Sequence, residues 1–389
     1  MSEKYVDIDW VLQNPKGNYM LKIMNIVGAR PNFMKIAPLM AEYKKYDTIT
    51  PILVHTGQHY DQKMSELFFE ELGIPKPDIN LGIGSGSHAV QTAEIMKAIE
   101  PVLLVQKPDV MLVVGDVNST IACGLVAVKL GIKLVHVEAG LRSFDRTMPE
   151  EINRILTDSI SDLLFCTEQS GVDNLLREGI SANKIHLVGH VMIDTLLNNL
   201  KKAESSTIIK DLQNQGVLNS GSFAVLTLHR PSNVDDPAVF SRILDGLEVI
   251  QKDIPILFPI HPRTRKNLAT GNLAGRVQSM TNLHMMDPIG YLDFLKLLSK
   301  SSLVLTDSGG IQEETTVLKI PCLTLRNNTE RPVTVEIGTN QLVGNDPEKM
   351  IAAYRNLCNG KWREPQIPPL WDGKASGRIV KVILGGMLS

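Results

Sequence analysis

The chain has 389 residues, more than one ordinary α/β core holds and enough for two domains of roughly 100–200 residues each. Its 40 Lys and Arg residues nearly balance 42 Asp and Glu residues, so the basic footprint of a nucleic-acid-binding protein is missing and no nucleic-acid partner is expected. With 43% hydrophobic residues the composition is that of a globular protein, and no apolar stretch reaches the roughly 18–20 residues of a membrane helix.

The N-terminus and the cysteines indicate where the protein resides. The first ten residues, MSEKYVDIDW, lack the basic and apolar segments of a secretory signal. The four cysteines are far apart, as is typical of isolated thiols in a reducing compartment. We therefore expect a cytoplasmic protein with no membrane partner. Residues 1–19 fit no core pattern and are interpreted as an extension.

From residue 20 onward, short β-rich apolar runs alternate with helix-length amphipathic segments. Strands are predicted at 21–27, 52–55, 110–114, 133–137, 163–166 and 185–188, and helices at 33–45, 61–72, 89–105, 119–130 and 149–161. This alternation is typical of parallel strands joined by crossover helices. Residues 20–190 are thus predicted to form a doubly wound α/β domain.

The same pattern restarts beyond residue 190. Strands are predicted at 223–228, 256–260, 302–306 and 321–325, and helices at 238–251, 291–299 and 310–318. The polar stretch 201–219 is predicted to be a helix and linker between the two series. Because ligands of such sheets bind at the carboxyl ends of the strands, two doubly wound domains are expected to face one cleft.

Polar residues follow five of the predicted strands directly. They are Arg30 and Lys35 after 21–27, Asp116 after 110–114, Glu138 and Arg142 after 133–137, His229 and Arg230 after 223–228, and Asp307 to Gly310 after 302–306. A single such residue is ordinarily a solvated loop charge or a helix cap. Five sets in succession indicate a functional site.

The segment from Asp307 to Glu314 is the clearest candidate anion site. Ser308 is expected to cap the helix that follows, and Gly309 and Gly310 let backbone N–H groups approach an oxyanion at the positive end of that helix. Glu313 and Glu314 are expected in the first turn. There a carboxylate either complements the helix dipole or binds the two hydroxyls of a ribose.

Five apolar residues of the segment from 149 are predicted to face the core, namely Ile152, Ile155, Leu156, Ile160 and Leu163. Glu150 and Arg154 then lie on the opposite side, either as an exposed ion pair or as a carboxylate turned towards the site by its arginine. The nearby Asp116 and Glu138 favour the second interpretation.

Signals for cofactors are weak. The glycine-rich segment 82–86 follows no clear strand and lacks the spacing of a nicotinamide-binding fingerprint. His55 and His59 are four residues apart on a strand-to-turn segment, which does not suit a zinc site. We expect neither a metal nor a nicotinamide cofactor.

Over residues 22–385 the chain resembles the non-hydrolysing UDP-N-acetylglucosamine 2-epimerases. The motifs that carry the resemblance are Gly28-Ala-Arg30-Pro31, Thr56-Gly-Gln58-His59, Gly115-Asp116, His136-Val-Glu138-Ala-Gly-Leu-Arg142, Pro149-Glu150-Glu151-Ile-Asn-Arg154, His229-Arg230, Asp307-Ser-Gly-Gly-Ile-Gln-Glu-Glu314 and Thr329-Glu-Arg-Pro332. The resemblance implies a glycosyltransferase-B-like fold of two Rossmann-like domains. It also implies that helix 374–389 returns to the first domain, that 191–373 bind UDP, and that the protein is a homodimer.

The resemblance further implies an activity and a site. The activity is reversible epimerisation at C2 of UDP-N-acetylglucosamine to UDP-N-acetylmannosamine, by elimination and re-addition of UDP through 2-acetamidoglucal. The implied catalytic residues are Arg30, Lys35, Asp116, Glu138, Glu150 and His229. The implied UDP-sugar-binding residues are Arg30, Arg154, His229, Ser308, Gly309, Gly310 and Glu314.

Four other functions stay open at this stage. A hydrolysing epimerase, which releases free N-acetylmannosamine, is disfavoured by Arg30-Pro31. A 2-epimerase of a UDP-2,3-diacetamido sugar acid shares the same motifs. A glycosyltransferase of the same fold, or a binding module without activity, leaves three carboxylates near one sheet edge unexplained.

Some positions depart from the family pattern. Asn32 and Val333 each stand where a Glu is usual, and Asn32 is a candidate for altered sugar preference. Relatives that are activated by a second substrate molecule have an amide and an arginine where this chain has Asp61 and Ser87. His88 compensates only in part, so weak or absent activation is predicted.

Overall fold

The computed structural model describes residues 20–57, 73–219, 221–269 and 273–388. Residues 1–19, the predicted helix 61–72, and Gln58, His59 and Asp61 lie outside this part of the chain. Two compact units are present. The first contains the described residues up to Thr195 together with the segment from Pro369, and the second is Leu196–Pro368. Within the described ranges, no helix is both long and apolar enough to cross a membrane.

The first unit is built on a parallel sheet. Its strands are β1 (Leu21–Val27), β2 (Ile49–His55), β3 (Ile79–Asn80), β4 (Val110–Val114), β5 (Lys133–Val137), β6 (Leu163–Cys166) and β7 (Ile185–Leu187), in the order β3-β2-β1-β4-β5-β6-β7. All five residues of β4 are buried, because helices cover both faces of such a sheet. The chain reverses its direction of travel across the sheet between β1 and β4, which is where ligands of this topology bind.

Helices connect these strands. They are α1 (Arg30–Tyr43), α2 (His88–Gln106), α3 (Asn118–Lys129), α4 (Pro149–Ile160) and α5 (Gln169–Arg177), with a 3₁₀ turn at Ala182–Lys184 and α6 (Val191–Ala203) after β7. The glycine-rich segment 82–86 is a loop between β3 and α2, as predicted.

The second unit repeats this topology. Its strands are β8 (Ala224–Thr227), β9 (Ile256–Pro259), β10 (Leu283–Met286), β11 (Leu303–Thr306), β12 (Cys322–Thr324) and β13 (Asn340–Leu342), all parallel and in the order β10-β9-β8-β11-β12-β13. Its helices are α7 (Ile208–Asn214), α8 (Pro231–Val234), α9 (Pro237–Ile250), α10 (Pro262–Ala269), α11 (Leu273–Ser279), α12 (Tyr291–Lys300), α13 (Gly309–Leu318), α14 (Pro332–Glu336) and α15 (Pro347–Cys358). The equivalent switch point lies between β8 and β11.

The C-terminal segment belongs to the first unit. Its helix α16 (Ala375–Leu388) packs against α1. The buried carboxylate of Asp194 accepts hydrogen bonds from the backbone N–H groups of Ala375 and Ser376, at 3.1 and 2.7 Å. Asp194 therefore satisfies donors at the start of α16 that the helix itself leaves unpaired.

The predicted orientation of α4 is wrong. Ile152 and Leu156 are 41% and 47% exposed, whereas Glu151, Arg154, Thr157 and Asp158 are buried. The helix turns its polar side inward because that side supplies partners to charged groups at the carboxyl end of the sheet, as described below. Its apolar stripe is left on the surface of the unit.

Candidate active site

In the first unit the loops after β1 and β4 meet at the switch point. The loop after β1 is held by Asn32, whose Oδ1 accepts the backbone N–H groups of Gly28 and Ala29 at 3.2 and 2.9 Å. The Nδ2 of Asn32 donates to the carbonyl of Val114, at the end of β4, at 3.1 Å. Asn32 thus fastens one loop to the other, and its effect on sugar preference stays a prediction. Arg30 is the first residue of α1, and its side chain lies outside the described part of the structure.

Glu138 lies directly after β5 and forms an ion pair with Lys35 of α1. Both side chains are buried, and the backbone of Glu138 has a φ of +69°, a conformation that costs a non-glycine residue energy and occurs preferentially at functional sites. Gly115 makes room for the pair, because a Cβ there would lie 3.1 Å from Lys35 Nζ and 3.5 Å from Glu138 Oε2. The structure therefore brings two of the predicted residues into contact.

Asp116, at the end of β4, is bound by Arg154 of α4. The Nη2 of Arg154 donates to Asp116 Oδ2 at 2.6 Å, and its Nη1 donates to Glu151 Oε2 at 2.8 Å. The described partners of Arg154 are Glu151 and Asp116 and not the predicted Glu150, because a helix places position i+3 beside Arg154 as readily as position i+4. Glu150 itself is half-buried at the start of α4.

Glu151 holds the loop that precedes α4. Its carboxylate accepts hydrogen bonds from the N–H and hydroxyl groups of Ser143 and from the N–H of Phe144, at 2.9–3.0 Å. These bonds and the one from Arg154 lower the pKa of Glu151, although burial acts in the opposite direction as the largest single influence. A buried carboxylate thus connects this loop to Arg154 and Asp116.

A second buried network joins α4 to the loops that follow β4 and β5. Asp158 of α4 accepts from His136 Nδ1 at 2.7 Å and pairs with Arg142 at 2.7 Å. His136 Nε2 lies 2.9 Å from the carbonyl oxygen of Gly115. Burial alone raises the pKa of Asp158, but the neighbouring His136 and Arg142 outweigh it and the net pKa is lowered. This network is the physical reason that the polar side of α4 faces inward.

In the second unit Asp307 organises the residues that follow β8. Its fully buried carboxylate lies 3.0 Å from His229 Nδ1 and accepts the N–H groups of His229 and Arg230 at 3.1 and 2.9 Å. These bonds lower the pKa of Asp307 against the opposing effect of burial. The imidazole of His229 is 44% exposed. The chain therefore presents His229 to solvent while fixing its orientation from within.

Helix α13 begins at Gly309, directly after β11, with Ser308 as its N-cap residue. Among the described groups, the Ser308 side chain makes no capping hydrogen bond, contrary to prediction. Glu313 and Glu314 are also not in the first turn, because a helix that starts at Gly309 places them in the second. The helix dipole therefore does not explain either carboxylate.

Three arginines surround Glu330 near the start of α13. Arg326 donates to Glu330 Oε2 at 2.6 Å, and Arg331 and Arg230 lie 3.5 and 3.7 Å from Glu330 Oε1. Burial acts against ionisation of Glu330, but these arginines lower its pKa far below the usual value. A Cβ on Gly309 would lie 3.1 Å from Glu330 Oε1, so the cluster borders the helix N-terminus. Since Arg331 also pairs with Glu313, three arginines face two carboxylates, and the remaining positive charge suits an anionic ligand.

Glu314 is buried beside Glu313 and Tyr291. Glu313 is paired with Arg331, whereas the phenol of Tyr291 donates to Glu314 Oε1 at 3.4 Å. Burial, followed by the charge of Glu313, raises the pKa of Glu314 to about 8. Glu314 is consequently protonated at neutral pH in the ligand-free protein.

The sequence analysis does not predict three features of these sites. They are Glu151 as the partner of Arg154, Asp307 as the partner of His229, and the buried His190, whose Nε2 lies 3.7 Å from Glu138 Oε1. Sequence signals for two of them exist. Glu151 lies three residues before Arg154, a spacing that allows an ion pair on a helix. His190 follows the predicted strand 185–188 almost directly, which is the same signal that indicates Glu138 and His229.

The raised pKa of Glu314 predicts a dependence of stability on pH. In the unfolded chain the group ionises near 4.5, so between about pH 5 and 8 unfolding releases a proton and the folded state is destabilised as pH rises. Glu314→Gln removes this contribution. We expect the urea midpoint of the wild type to fall more than that of Glu314→Gln from pH 5 to pH 8.

The control is Glu348→Gln, which alters an exposed carboxylate of the same unit and should follow the wild-type curve. If the curves of the wild type and Glu314→Gln run parallel, Glu314 ionises normally in the folded protein.

Comparison with known proteins identifies the family. A family model described as UDP-N-acetylglucosamine 2-epimerase matches residues 41–384. The UDP-N-acetylglucosamine 2-epimerase of Methanocaldococcus jannaschii is 47% identical over 370 residues, which cover 94% of this chain and 100% of the relative. The UDP-2,3-diacetamido-2,3-dideoxy-D-glucuronate 2-epimerase of Pseudomonas aeruginosa is 43% identical over 366 residues, which cover 93% and 99%.

The fold agrees with these relatives. A crystal structure of the M. jannaschii UDP-GlcNAc 2-epimerase in complex with UDP-GlcNAc and UDP superimposes with a TM-score of 0.85 at 46% identity, covering 94% of this chain and 100% of that chain. The predicted α/β class and glycosyltransferase-B-like fold, with two parallel sheets, are confirmed. By sequence and by structure, the chain belongs to the UDP-N-acetylglucosamine 2-epimerase family.

Proposed function

We propose that this protein interconverts UDP-N-acetylglucosamine and UDP-N-acetylmannosamine by inverting C2, without releasing the free sugar. The observation that carries the proposal is the set of carboxylates at the carboxyl end of the first sheet, where Glu138 contacts Lys35 and Asp116 contacts Arg154. The family and the activity for which the M. jannaschii relative is named support the same reaction.

The chemistry of C2 explains why carboxylates and an anion site occur together. C2 of a pyranose has no adjacent carbonyl, so a carboxylate cannot remove its proton directly. When UDP departs, C1 gains oxocarbenium character and H2 becomes acidic, and elimination then gives 2-acetamidoglucal. Protonation of C2 from the other face and return of UDP to C1 give the manno epimer.

These steps assign roles to the two units. Stabilisation of the departing diphosphate requires preorganised hydrogen-bond donors, for which the His229 imidazole and the N-terminus of α13 at Ser308 to Gly310 are proposed. Proton removal and return require at least two positioned acid–base groups, for which Asp116, Glu138 and Glu150 are proposed. Arg30 is proposed to bind the diphosphate from the first unit, and Glu314 to accept the ribose hydroxyls.

Solvent exchange tests the reaction directly. In deuterated water, incubation with UDP-N-acetylglucosamine should give UDP-N-acetylmannosamine with deuterium at C2, because the removed proton is lost to solvent before C2 is reprotonated. NMR of the product measures the label.

Two outcomes would contradict the proposal. Product that retains the original C2 proton would exclude elimination, and bulk release of free N-acetylmannosamine would show a hydrolysing enzyme. Turnover of a UDP-2,3-diacetamido sugar acid in preference to UDP-N-acetylglucosamine would favour the second candidate substrate.

Amide substitutions separate chemistry from binding. Asp116→Asn, Glu138→Gln and Glu150→Gln should each lower kcat by roughly 10²–10⁴, the usual contribution of a positioned acid or base, and leave the Kd for UDP unchanged. Glu314→Ala should instead weaken UDP binding in calorimetry. Asp173→Asn, at an exposed position of α5, is the matched control and should keep full activity. Normal UDP binding by Glu314→Ala would remove the proposed ribose contact.

We also infer that the protein is a homodimer of the cytoplasm. Helices α2 and α4 both contact α3, and each exposes apolar side chains, Leu104 and Val105 on α2 and Ile152 and Leu156 on α4. An apolar surface of this kind on a folded unit is typical of a subunit interface. The cysteines are free thiols, which supports a reducing compartment.

The proposed interface predicts a change of mass. Leu156→Glu places a charge in the apolar surface and should convert a two-chain particle into a one-chain particle in light scattering. Leu176→Glu, an equally exposed leucine on α5, should leave the mass unchanged. A wild type with the mass of one chain would contradict the inference.

A further inference from the structure

His190 lies beside the proposed acid–base residue Glu138 and was not predicted. It follows β7, is buried, and its Nε2 lies 3.7 Å from Glu138 Oε1. The other carboxylate oxygen, Oε2, faces Lys35. The two oxygens of Glu138 are therefore approached by donors from two different elements, α1 and the turn after β7.

The backbone near His190 sets the position of its proton. The N–H of Met192 donates to His190 Nδ1 at 3.1 Å. A ring nitrogen that accepts a hydrogen bond carries no proton, so the neutral imidazole carries its proton on Nε2. That nitrogen is the one that faces Glu138, and it faces Glu138 as a donor.

The C-terminal segment holds the ring in place. Trp371 meets the imidazole edge to face at 5.4 Å between ring centroids and 82° between planes, and Trp371 Nε1 is itself fixed by the carbonyl of Thr167 at 2.9 Å. Gly189 has a φ of +86°, and a side chain there would collide with the carbonyl oxygen of Leu370. The C-terminal segment, through Leu370 and Trp371, therefore packs directly against the turn that carries His190.

We propose that His190 is a positioning residue, whose Nε2–H holds the Glu138 carboxylate in the orientation needed for proton transfer at C2. Glu138 needs such a partner because its left-handed backbone conformation is not intrinsically stable and persists only where its surroundings hold it. The 3.7 Å separation closes to a hydrogen bond when substrate is bound, as is common for catalytic contacts in ligand-free enzymes. The inference rests on the proposed function, since that function gives Glu138 its role.

Two amide variants each preserve a different contact of the His190 ring. In His190→Asn the amide oxygen occupies the region of Nδ1 and still accepts from Met192, but the side chain is too short to reach Glu138. In His190→Gln the terminal amide nitrogen reaches the region of Nε2 and still donates to Glu138. Misplacement of a reacting group by about 1 Å costs on the order of 100-fold.

We therefore expect His190→Asn to lower kcat by roughly 10–100-fold with unchanged Kd for UDP, and His190→Gln to restore kcat to within about 3-fold of the wild type. His186→Asn is the matched control, because His186 lies on β7 and its ring packs on Phe165. It should keep wild-type kcat. Thermal unfolding of each variant identifies any that fails to fold.

The outcomes distinguish this inference from the proposed function. A wild type that does not epimerise UDP-N-acetylglucosamine removes the function itself. A wild type that incorporates deuterium at C2, with His190→Asn equally fast, overturns only the role of His190. Equal losses in His190→Asn and His190→Gln, with both folded, show that the ring contributes packing alone and also overturn it.

Discussion

The ion pair between Lys35 and Glu138 is the contact on which the first unit's site depends. A carboxylate at the end of a buried parallel strand is shielded from water, and its charge must be met by groups of the protein. Glu138 is 2% exposed, and Lys35 reaches it from α1 across the switch point of the sheet. The second unit follows the same rule at its own switch point, where Asp307 is met by His229 and by two backbone N–H groups. In each unit a buried carboxylate and its partners thus lie at the switch point of the sheet.

The need to pair buried carboxylates also determines backbone conformation and the orientation of a neighbouring helix. Glu138 adopts a φ of +69°, and Gly115 leaves out the Cβ that would crowd the pair. Helix α4 turns Glu151, Arg154 and Asp158 inward because Asp116, Arg142 and His136 need partners there. The apolar residues of α4 are displaced to the surface as a consequence. The orientation of α4 therefore has two consequences: it supplies partners to the charged groups of the site, and it exposes the apolar residues of the candidate subunit interface.

Much of the fold is readable from the sequence. Strands β1, β4, β5 and β6 have the predicted bounds, because a strand buried on both faces is a largely apolar run that stands out in the sequence. The strands that escape prediction are short or polar, such as β3 with two residues and β13 with Asn340 and Gln341. The orientation of α4 is not predicted from the sequence for another reason. Hydrophobic periodicity assumes an apolar core, and the surroundings of α4 at the sheet edge are charged. His190 lies far from Glu138 in sequence, and only the packing of β5, β6 and β7 brings them together.

Two relatives named for different substrates are 47% and 43% identical to this chain, so overall similarity does not distinguish an N-acetylhexosamine from a sugar acid as the substrate. Charge offers a physical criterion. A sugar acid carries one carboxylate more than UDP-N-acetylglucosamine, and an enzyme that selects it needs a cation that its own residues do not neutralise. Besides Arg30, whose side chain the structure does not describe, three cations lie at the carboxyl end of the first sheet. Lys35 is paired with Glu138, Arg142 with Asp158 and Glu178, and Arg154 with Asp116 and Glu151. Because these three cations already serve carboxylates of the protein, the carboxylate of a sugar acid would compete with those ion pairs at this sheet edge, which favours the neutral N-acetylhexosamine as substrate.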